Sequence, residues 1–163
     1  MDPTIAAASE ILEGSLDAMR GVIAGSTTQS LNWRPAGEST NTVAVLVVHA
    51  MHSTRWWLSV ATGAAMPPRD RPTEFETVVD DVDALLTLFD GIAGDCRELL
   101  DAGAPFDAGA RRIAPSASRA GRSAESETVT AVWALLHAVE HLREHLAHAE
   151  LTIQLWEGRE PER

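Results

Sequence analysis

SETVTAVWALLHAVEHLREHLAHAELTIQLW, residues 126–156, is the stretch that decides the fold. It contains no proline or glycine, and its apolar residues recur at spacings of three and four, which predicts one long amphipathic helix. Its central segment, HAVEHLREHLAH, holds four of the six histidines of the chain. His137, His141 and His145 are four apart and therefore lie along one face of the helix, with His148 on roughly the same side. Such a face is solvated, packed into a core or bound to a ligand.

Three other segments also carry a helical period. Their apolar spacing and their breakers place them from about Thr4 to Ala24, from about Asn41 to Thr62 and from Thr73 to Gly103. The last of them opens with TEFE, which is typical of a capping box in which Glu76 reaches back to the backbone of Thr73. No alternation of apolar and polar residues indicates a β-strand. The sequence therefore predicts an all-α fold, a four-helix bundle in a single domain over residues 1–163.

Two connections between the helices are long crossovers. The first, residues 25–40, contains LNWRPAG, and we expect Trp33 and Arg34 to pack over one end of the bundle near the mouth of a site. The second, residues 104–125, is rich in alanine, glycine, serine and arginine, a composition typical of a mobile or functional loop. It holds the main basic patch of the chain, which is Arg111, Arg112, Arg119 and Arg122.

Composition and charge limit the classes of function. The chain has 13 basic and 24 acidic residues, and a formal charge of −11 argues against a nucleic-acid partner because it repels phosphate backbones. No apolar run approaches the roughly 18 residues of a membrane span, and the start, MDPTIAAASEILEG, lacks the basic and apolar regions of a signal peptide. The single cysteine, Cys96, rules out an internal disulfide and lies on the apolar face of its helix, so we expect a buried, unreactive thiol. These features predict a cytoplasmic protein with no membrane partner.

A second helix adds another histidine to the pattern. His49 follows the apolar run VAVLVV and should face inward, where a neutral imidazole needs hydrogen-bond partners or a metal. Two histidines four apart on one helix, with a third from a facing helix, can hold a divalent ion and leave positions open for water or substrate. Ordinary core packing or a solvated face is the alternative. The solvated face suits His137 and His148 best, because the charged residues between them give the helix a wet side.

Two stretches of sequence carry a family resemblance. LNWRPAGESTNTVAVLVVHAMHSTRWWL, residues 31–58, has a tryptophan-proline loop, a polar helix start, a histidine and a late aromatic pair. HLREHLAHAELTIQLW, residues 141–156, has two histidines four apart in the last helix. Together with the order and length of the four helices, these stretches resemble the DinB-like superfamily, which includes the mycothiol-dependent maleylpyruvate isomerases and related bacterial thiol transferases. The chain departs from the family pattern at Thr54, where many members have glutamate, and after His145, where many have Arg-Gly-Gln.

The resemblance implies a divalent metal held by three histidines. Carried over position by position, the ligands are His49 from the second helix and His141 and His145 from the fourth. Nitrogen ligation suits zinc, nickel, iron or copper, and zinc and nickel are the ions we expect. The polar residues that we expect around the ligands are His137, His52, His148 and Thr54.

The resemblance also implies a function. A low-molecular-weight thiol such as mycothiol would be transferred to an electrophilic small molecule or used in an isomerisation, with the metal activating the thiol. Two interpretations from other classes stay open. One is a metal-clipped or metal-free bundle with a structural, sensing or dimerisation role, and the other is a stress-response protein without catalytic activity. A homodimer is expected because the bundle has apolar surface to cover.

Overall fold

The computed structural model describes residues 2–101, 105–114 and 127–159 of the chain. In chain order, its elements are α1 (Pro3–Ala24), α2 (Thr28–Leu31), a 3-10 turn (Gly37–Ser39), α3 (Val43–Thr62), α4 (Arg71–Glu74), α5 (Val82–Asp101), β1 (Arg111–Ala114), β2 (Glu127–Thr130) and α6 (Ala131–Glu157). The long helices α1, α3, α5 and α6 form the bundle. The predicted all-α, four-helix architecture is confirmed.

Short polar side chains start the helices. Asp2 accepts a hydrogen bond from the backbone N–H of Thr4 at the start of α1, Thr42 accepts one from Val45 at the start of α3, and Thr130 caps α6 in the same way. Gly63 ends α3 in the left-handed conformation, with φ of 76°, which a residue with a Cβ rarely adopts. The boundaries of α1 and α3 therefore lie close to those predicted from the sequence.

The four long helices surround one apolar core. Each of α1 and α3 packs against both α5 and α6, so that α1 and α3 occupy opposite corners of the bundle. The largest fully buried side chains come from all four helices and include Leu12, Leu16, Leu46, Met51, Trp57, Phe89, Leu135 and Leu142. Burial of each such side chain contributes roughly 1.5–3 kcal/mol. None of the helices in the described ranges has both the length and the apolar character that a membrane crossing requires.

The predicted third helix is in fact two helices. Thr73 lies inside the short α4, whose first turn contains Pro72 and is capped by Asp70, so the capping box between Thr73 and Glu76 is wrong. The chain then leaves the helix after Glu74 and forms α5 only from Val82. The T-x-x-E pattern fits a Thr73 that caps a helix as well as a Thr73 inside a helix that has already begun. The fixed φ of Pro72 favours a helix that begins before Thr73. Gly103, the predicted end, lies outside the described residues.

The second crossover contains a strand that the sequence did not predict. β1 and β2 pair antiparallel, from Arg111 opposite Thr130 to Ala114 opposite Glu127. Arg111 and Arg112 therefore belong to a strand, and their assignment to a mobile loop is wrong. The backbone N–H of Ala131 also donates to the carbonyl of Ala110, which ties β1 to the start of α6. Strands of four residues are too short to show an alternating pattern, and their pairing is set by a partner distant in the sequence.

The strand pair also moves the start of the last helix. The structure begins α6 at Ala131, five residues after the predicted start near Ser126. Ser126 itself lies outside the described residues, as do Arg119 and Arg122 of the predicted basic patch.

Candidate metal centre

Three histidines from two helices meet inside the bundle. His49 lies on α3, and His141 and His145 lie one turn apart on α6, the helix that packs most extensively against α3. The ring centroid of His49 is 5.2 Å from that of His141 and 5.1 Å from that of His145, and the two α6 rings are 4.4 Å apart. One nitrogen of each ring lies within 4.8 Å of the other two. The structure thus brings together the three residues that the sequence analysis selected as ligands.

A buried carboxylate orients the ring of His49. His49 is 6 % exposed, and its Nδ1 lies 2.8 Å from Oε2 of Glu74, which is 4 % exposed. Because an ionised carboxylate can only accept a hydrogen bond, Nδ1 carries a proton, and Nε2 is the nitrogen left for a metal ion. A carboxylate behind a histidine is the usual support of a metal-ligating imidazole, since it fixes both the tautomer and the ring plane.

Arg69 completes this support. Its Nε donates to Oε1 of Glu74 at 2.6 Å and its Nη2 donates to Oε2 at 2.9 Å, a two-pronged ion pair. Burial by itself would raise the pKa of Glu74, but the hydrogen bonds and charges of Arg69 and His49 outweigh it and hold that pKa below its ordinary value. Glu74 is therefore ionised at neutral pH and acts as a fixed acceptor for His49.

The two α6 histidines are neutral at physiological pH. Burial, with a smaller contribution from the charges that neighbouring histidines would carry, lowers the pKa of His141 to about 3 and that of His145 to about 4. The Nδ1 atom of each ring is buried and has no hydrogen-bond partner among the described residues. A buried polar atom without a partner costs free energy, and a metal ion coordinated by that nitrogen would offset the cost.

The donor set fits a divalent transition ion. Three neutral imidazoles suit zinc and its neighbours in the first transition row. A tetrahedral ion with bonds of about 2.0–2.1 Å holds its ligand nitrogens roughly 3.4 Å apart, so the rings would close on it by on the order of 1 Å. His49, His141 and His145 would hold the ion, and Glu74 and Arg69 together add no net charge beside it.

The structure places the other predicted polar residues around the cluster or away from it. The ring of His52 is partly buried, but it points its Nδ1 toward Nη2 of Arg55, at 3.4 Å, and does not join the cluster. His148 is exposed. Thr54 is fully buried, and its hydroxyl has no hydrogen-bond partner among the described residues.

His137 lies in an aromatic group next to the cluster. Its ring stacks on Trp133 with centroids 4.9 Å apart, meets Trp57 edge-on at 4.8 Å and lies 5.7 Å from the ring of His141. The solvated face expected for His137 is therefore only partly present, since 27 % of its side chain is exposed. This aromatic group limits how far the ring of His141 can turn.

The connection between α3 and α5 contributes residues to the centre that the sequence did not predict. Arg69 and Glu74 were not selected, and neither was Phe75, whose ring lies 4.8 Å from that of His49. They follow the helix-ending prolines in PPRDRPTEFE, where no periodicity shows which side chains turn inward. The available signal was a glutamate in the first turn of a short helix that contains a proline, and that signal is weak.

The first crossover lies away from the cluster. Trp33 packs edge-on against Trp156, with centroids 5.7 Å apart. Trp156 follows His145 by 11 positions on α6, which corresponds to about 16 Å along the helix axis. Trp33 thus covers one end of the bundle, as expected, but that end is not beside the three histidines.

Comparison with known proteins supplies the family. A family model described as the DinB superfamily matches residues 11–149. The chain belongs to the DinB superfamily. The matched range contains all three clustered histidines and the Arg69–Glu74 support. The resemblance stated from sequence is confirmed, and in this DinB-superfamily protein the three histidines form a group that could hold a metal ion.

A solved structure shows the same fold. The chain is similar to a conserved protein from Enterococcus faecalis, with a TM-score of 0.72 over 98 % of this chain and 99 % of that one. The two sequences are 18 % identical, a level at which the likeness concerns the fold alone. No curated protein matches this DinB-superfamily chain.

Proposed function

We propose that this protein is a metal-dependent enzyme that transfers a low-molecular-weight thiol, such as mycothiol, to an electrophilic small molecule or uses it in an isomerisation. The observation that supports the proposal most is the convergence of His49, His141 and His145, with Glu74 behind the first of them. Zinc or nickel is the proposed ion. Three neutral ligands leave the full charge of the ion in place and leave at least one coordination position for a reactant.

The residues of the chain would hold the ion and orient its ligands, and the ion would activate the thiol. A bound divalent ion would act as a Lewis acid and lower the pKa of a thiol or water beside it toward neutral pH. The thiolate sulfur would then attack an electrophilic carbon, forming a C–S bond while the leaving group departs with its electron pair and the thiol proton passes to solvent. Glu74 occupies Nδ1 of His49 and so leaves Nε2 for the ion, and the low pKa values of His141 and His145 make their lone pairs available without loss of a proton.

The proposal is tested by metal analysis followed by a transfer assay. The full chain is purified after growth with zinc, nickel and manganese supplied, and its metal content is measured. The loaded protein is then incubated with mycothiol, glutathione or cysteine and a chromogenic aryl chloride, and the formation of the thioether is followed by absorbance. We expect about one ion per chain and turnover that a chelator abolishes. A protein that holds no metal, or a loaded protein that transfers none of the three thiols, would contradict the proposal.

A structural metal clip is the second candidate, and one observation favours it. The cluster joins α3 to α6, the most extensive helix pair of the bundle, so a bound ion would staple these two helices. Under this alternative, chelation lowers the melting temperature strongly and no thiol is transferred. The enzyme proposal instead expects transfer activity in the loaded protein.

The compartment, the oligomeric state and the partners of the protein are also part of the proposal. The single cysteine, Cys96, is buried, and burial raises its pKa to about 12, which suits an inert thiol in a reducing cytoplasm. Leu136, Leu151 and Leu155 of α6 are each about half exposed, and they support the proposal of a homodimer. A small molecule is the proposed substrate, with no nucleic-acid or membrane partner, because the charge of −11 disfavours both phosphate backbones and anionic lipid.

A further inference from the structure

A cavity lies apart from the three clustered histidines. It has a volume of about 570 Å³, within the range of small-molecule sites, and lies between α3, α5 and the segment that leads into β1. None of the three clustered histidines lines it, and neither does Arg69 or Glu74. Its walls are largely apolar, with Leu99, Leu100, Pro105 and Phe106 among them.

Arg112 brings an uncompensated charge to this cavity. Its Nε is buried without a hydrogen-bond partner, and the guanidinium makes no ion pair with any described residue. The guanidinium lies against Gly63, where an added Cβ would be only 3.1 Å from Cζ. The C-terminal end of a helix favours a nearby cation, which accounts for the position of Arg112 at the end of α3. It does not account for the unsatisfied Nε–H.

Arg55 provides a second guanidinium to the lining of the cavity. Its Nη1 donates to Oδ2 of Asp95 at 2.7 Å, while its Nε is buried and has no partner. Asp95 therefore neutralises the charge of Arg55, and Arg112 is the cation of the cavity lining that has no ion-pair partner among the described residues. Glu98 adds a negative charge at the exposed rim of the cavity.

We infer that this cavity binds a small organic monocarboxylate with an apolar body. One carboxylate would pair with the free guanidinium of Arg112 and satisfy its buried Nε–H, since the guanidinium presents donors in a geometry that matches a carboxylate. The apolar body would lie against Leu99, Leu100 and Phe106. A dianionic phosphate is disfavoured, because Arg55 is already paired with Asp95, Arg112 can balance only one negative charge, and Glu98 at the rim opposes a second. The inference is independent of the metal centre and does not rest on the proposed function.

The test uses phenylacetate as the probe and phenylacetamide as its neutral counterpart. Binding to the full chain is measured by NMR titration for the wild type, R112Q, R112K and R111Q. Arg111 is the matched control, because it precedes Arg112 in β1 but is exposed and does not line the cavity. We expect phenylacetate to bind the wild type, with shifts confined to residues of the cavity, and R112Q to bind it at least tenfold more weakly. R112K should lie between them and R111Q should match the wild type.

Several results would overturn the inference. They are the absence of phenylacetate binding to the wild type at millimolar concentration, equal binding of phenylacetamide, tighter binding of benzylphosphonate, and unchanged affinity in R112Q. R112K retains the positive charge and serves as the control in case R112Q does not fold. A folded R112K that binds phenylacetate as well as the wild type would exclude the proposed guanidinium geometry. Metal content measured on the same samples should be the same in all variants, which separates this inference from the metal centre.

Discussion

The residues of the candidate metal centre fall into two groups. Three histidines lie on long helices and form the helix-borne half, and two charged residues lie in the connection between α3 and α5 and form the connection-borne half. His49, His141 and His145 lie on α3 and α6, in long helices whose period fixes which side chains share a face. Arg69 and Glu74 lie in the connection between α3 and α5, on the short helix α4 and the segment that leads into it, where no helical period exists. The first half supplies donors to an ion, and the second half fixes the orientation of one donor. Positions of the first kind follow from spacing, whereas positions of the second kind follow only from the folded chain.

The largest expected effect comes from removing a helix-borne donor. We predict that H145A abolishes stoichiometric metal, because two remaining imidazoles cannot complete a three-histidine site and the vacated space admits water. Metal content per chain, measured after dialysis, checks the prediction. The matched control is H148A, since His148 lies three positions later on α6 but is exposed. If both variants keep one ion per chain, the helix-borne half is not the binding site.

Removing the carboxylate of the connection should have a smaller effect. We predict that E74Q still binds metal but with an affinity reduced about 10- to 100-fold, the usual cost of losing the group behind a ligating histidine. The affinity is measured by competition with a chromogenic chelator. E76Q is the control, because Glu76 is exposed in the same connection. Equal affinities in E74Q and the wild type would mean that the connection-borne half does not support the site.

The same contrast explains which parts of the fold and of the site can be predicted from the sequence. The cluster could be predicted because His141 and His145 repeat at the helical period and His49 follows an apolar run on another long helix. The bundle could be predicted from the same helical period. The Glu74 contact with His49 joins residues 25 positions apart across a turn, and nothing local marks it. The pairing of β1 with β2 was hidden for a related reason, since each strand has four residues and needs a distant partner.

The pH dependence of stability should distinguish the two halves of the centre in the metal-free protein. The pKa values of His141 and His145 fall from 6.5 to about 3 and about 4 on folding, so the unfolded chain binds protons first as the pH drops. Their contribution to stability is complete above pH 6.5 and is lost as the pH falls toward the folded values. Between pH 7.5 and pH 5, we predict a loss on the order of 2 kcal/mol, after allowance for the partial exposure of both rings.

Denaturant unfolding of chelator-treated protein at the two pH values checks this loss. The pKa of Glu74 is lowered from 4.5, so its own contribution is retained throughout this window. The pKa of His52 is also lowered by burial, so a variant is needed to isolate the effect of the two α6 histidines. The variant with both His141→Gln and His145→Gln should show a much flatter dependence. An unchanged slope in that variant would assign the effect to other groups.

The smallest expected effect concerns the other long connection. We predict that W33A lowers stability by about 1–2 kcal/mol, through loss of its edge-on contact with Trp156 and of partly buried area, and leaves metal content unchanged. W33F should retain most of the stability, because it keeps an aromatic ring at the same place. Thermal unfolding and metal analysis on the same samples check both parts. Loss of metal in W33A would show that the first crossover also shapes the centre.

Anomalous diffraction at the absorption edge of zinc or nickel, from crystals grown with that ion, would locate the metal in the bundle. We expect one peak per chain, about 2.0–2.1 Å from one nitrogen each of His49, His141 and His145, with Nδ1 of His49 still bonded to Glu74. A peak held by other residues, or three rings that turn away from a common point with no ion between them, would show that these histidines do not form a metal centre.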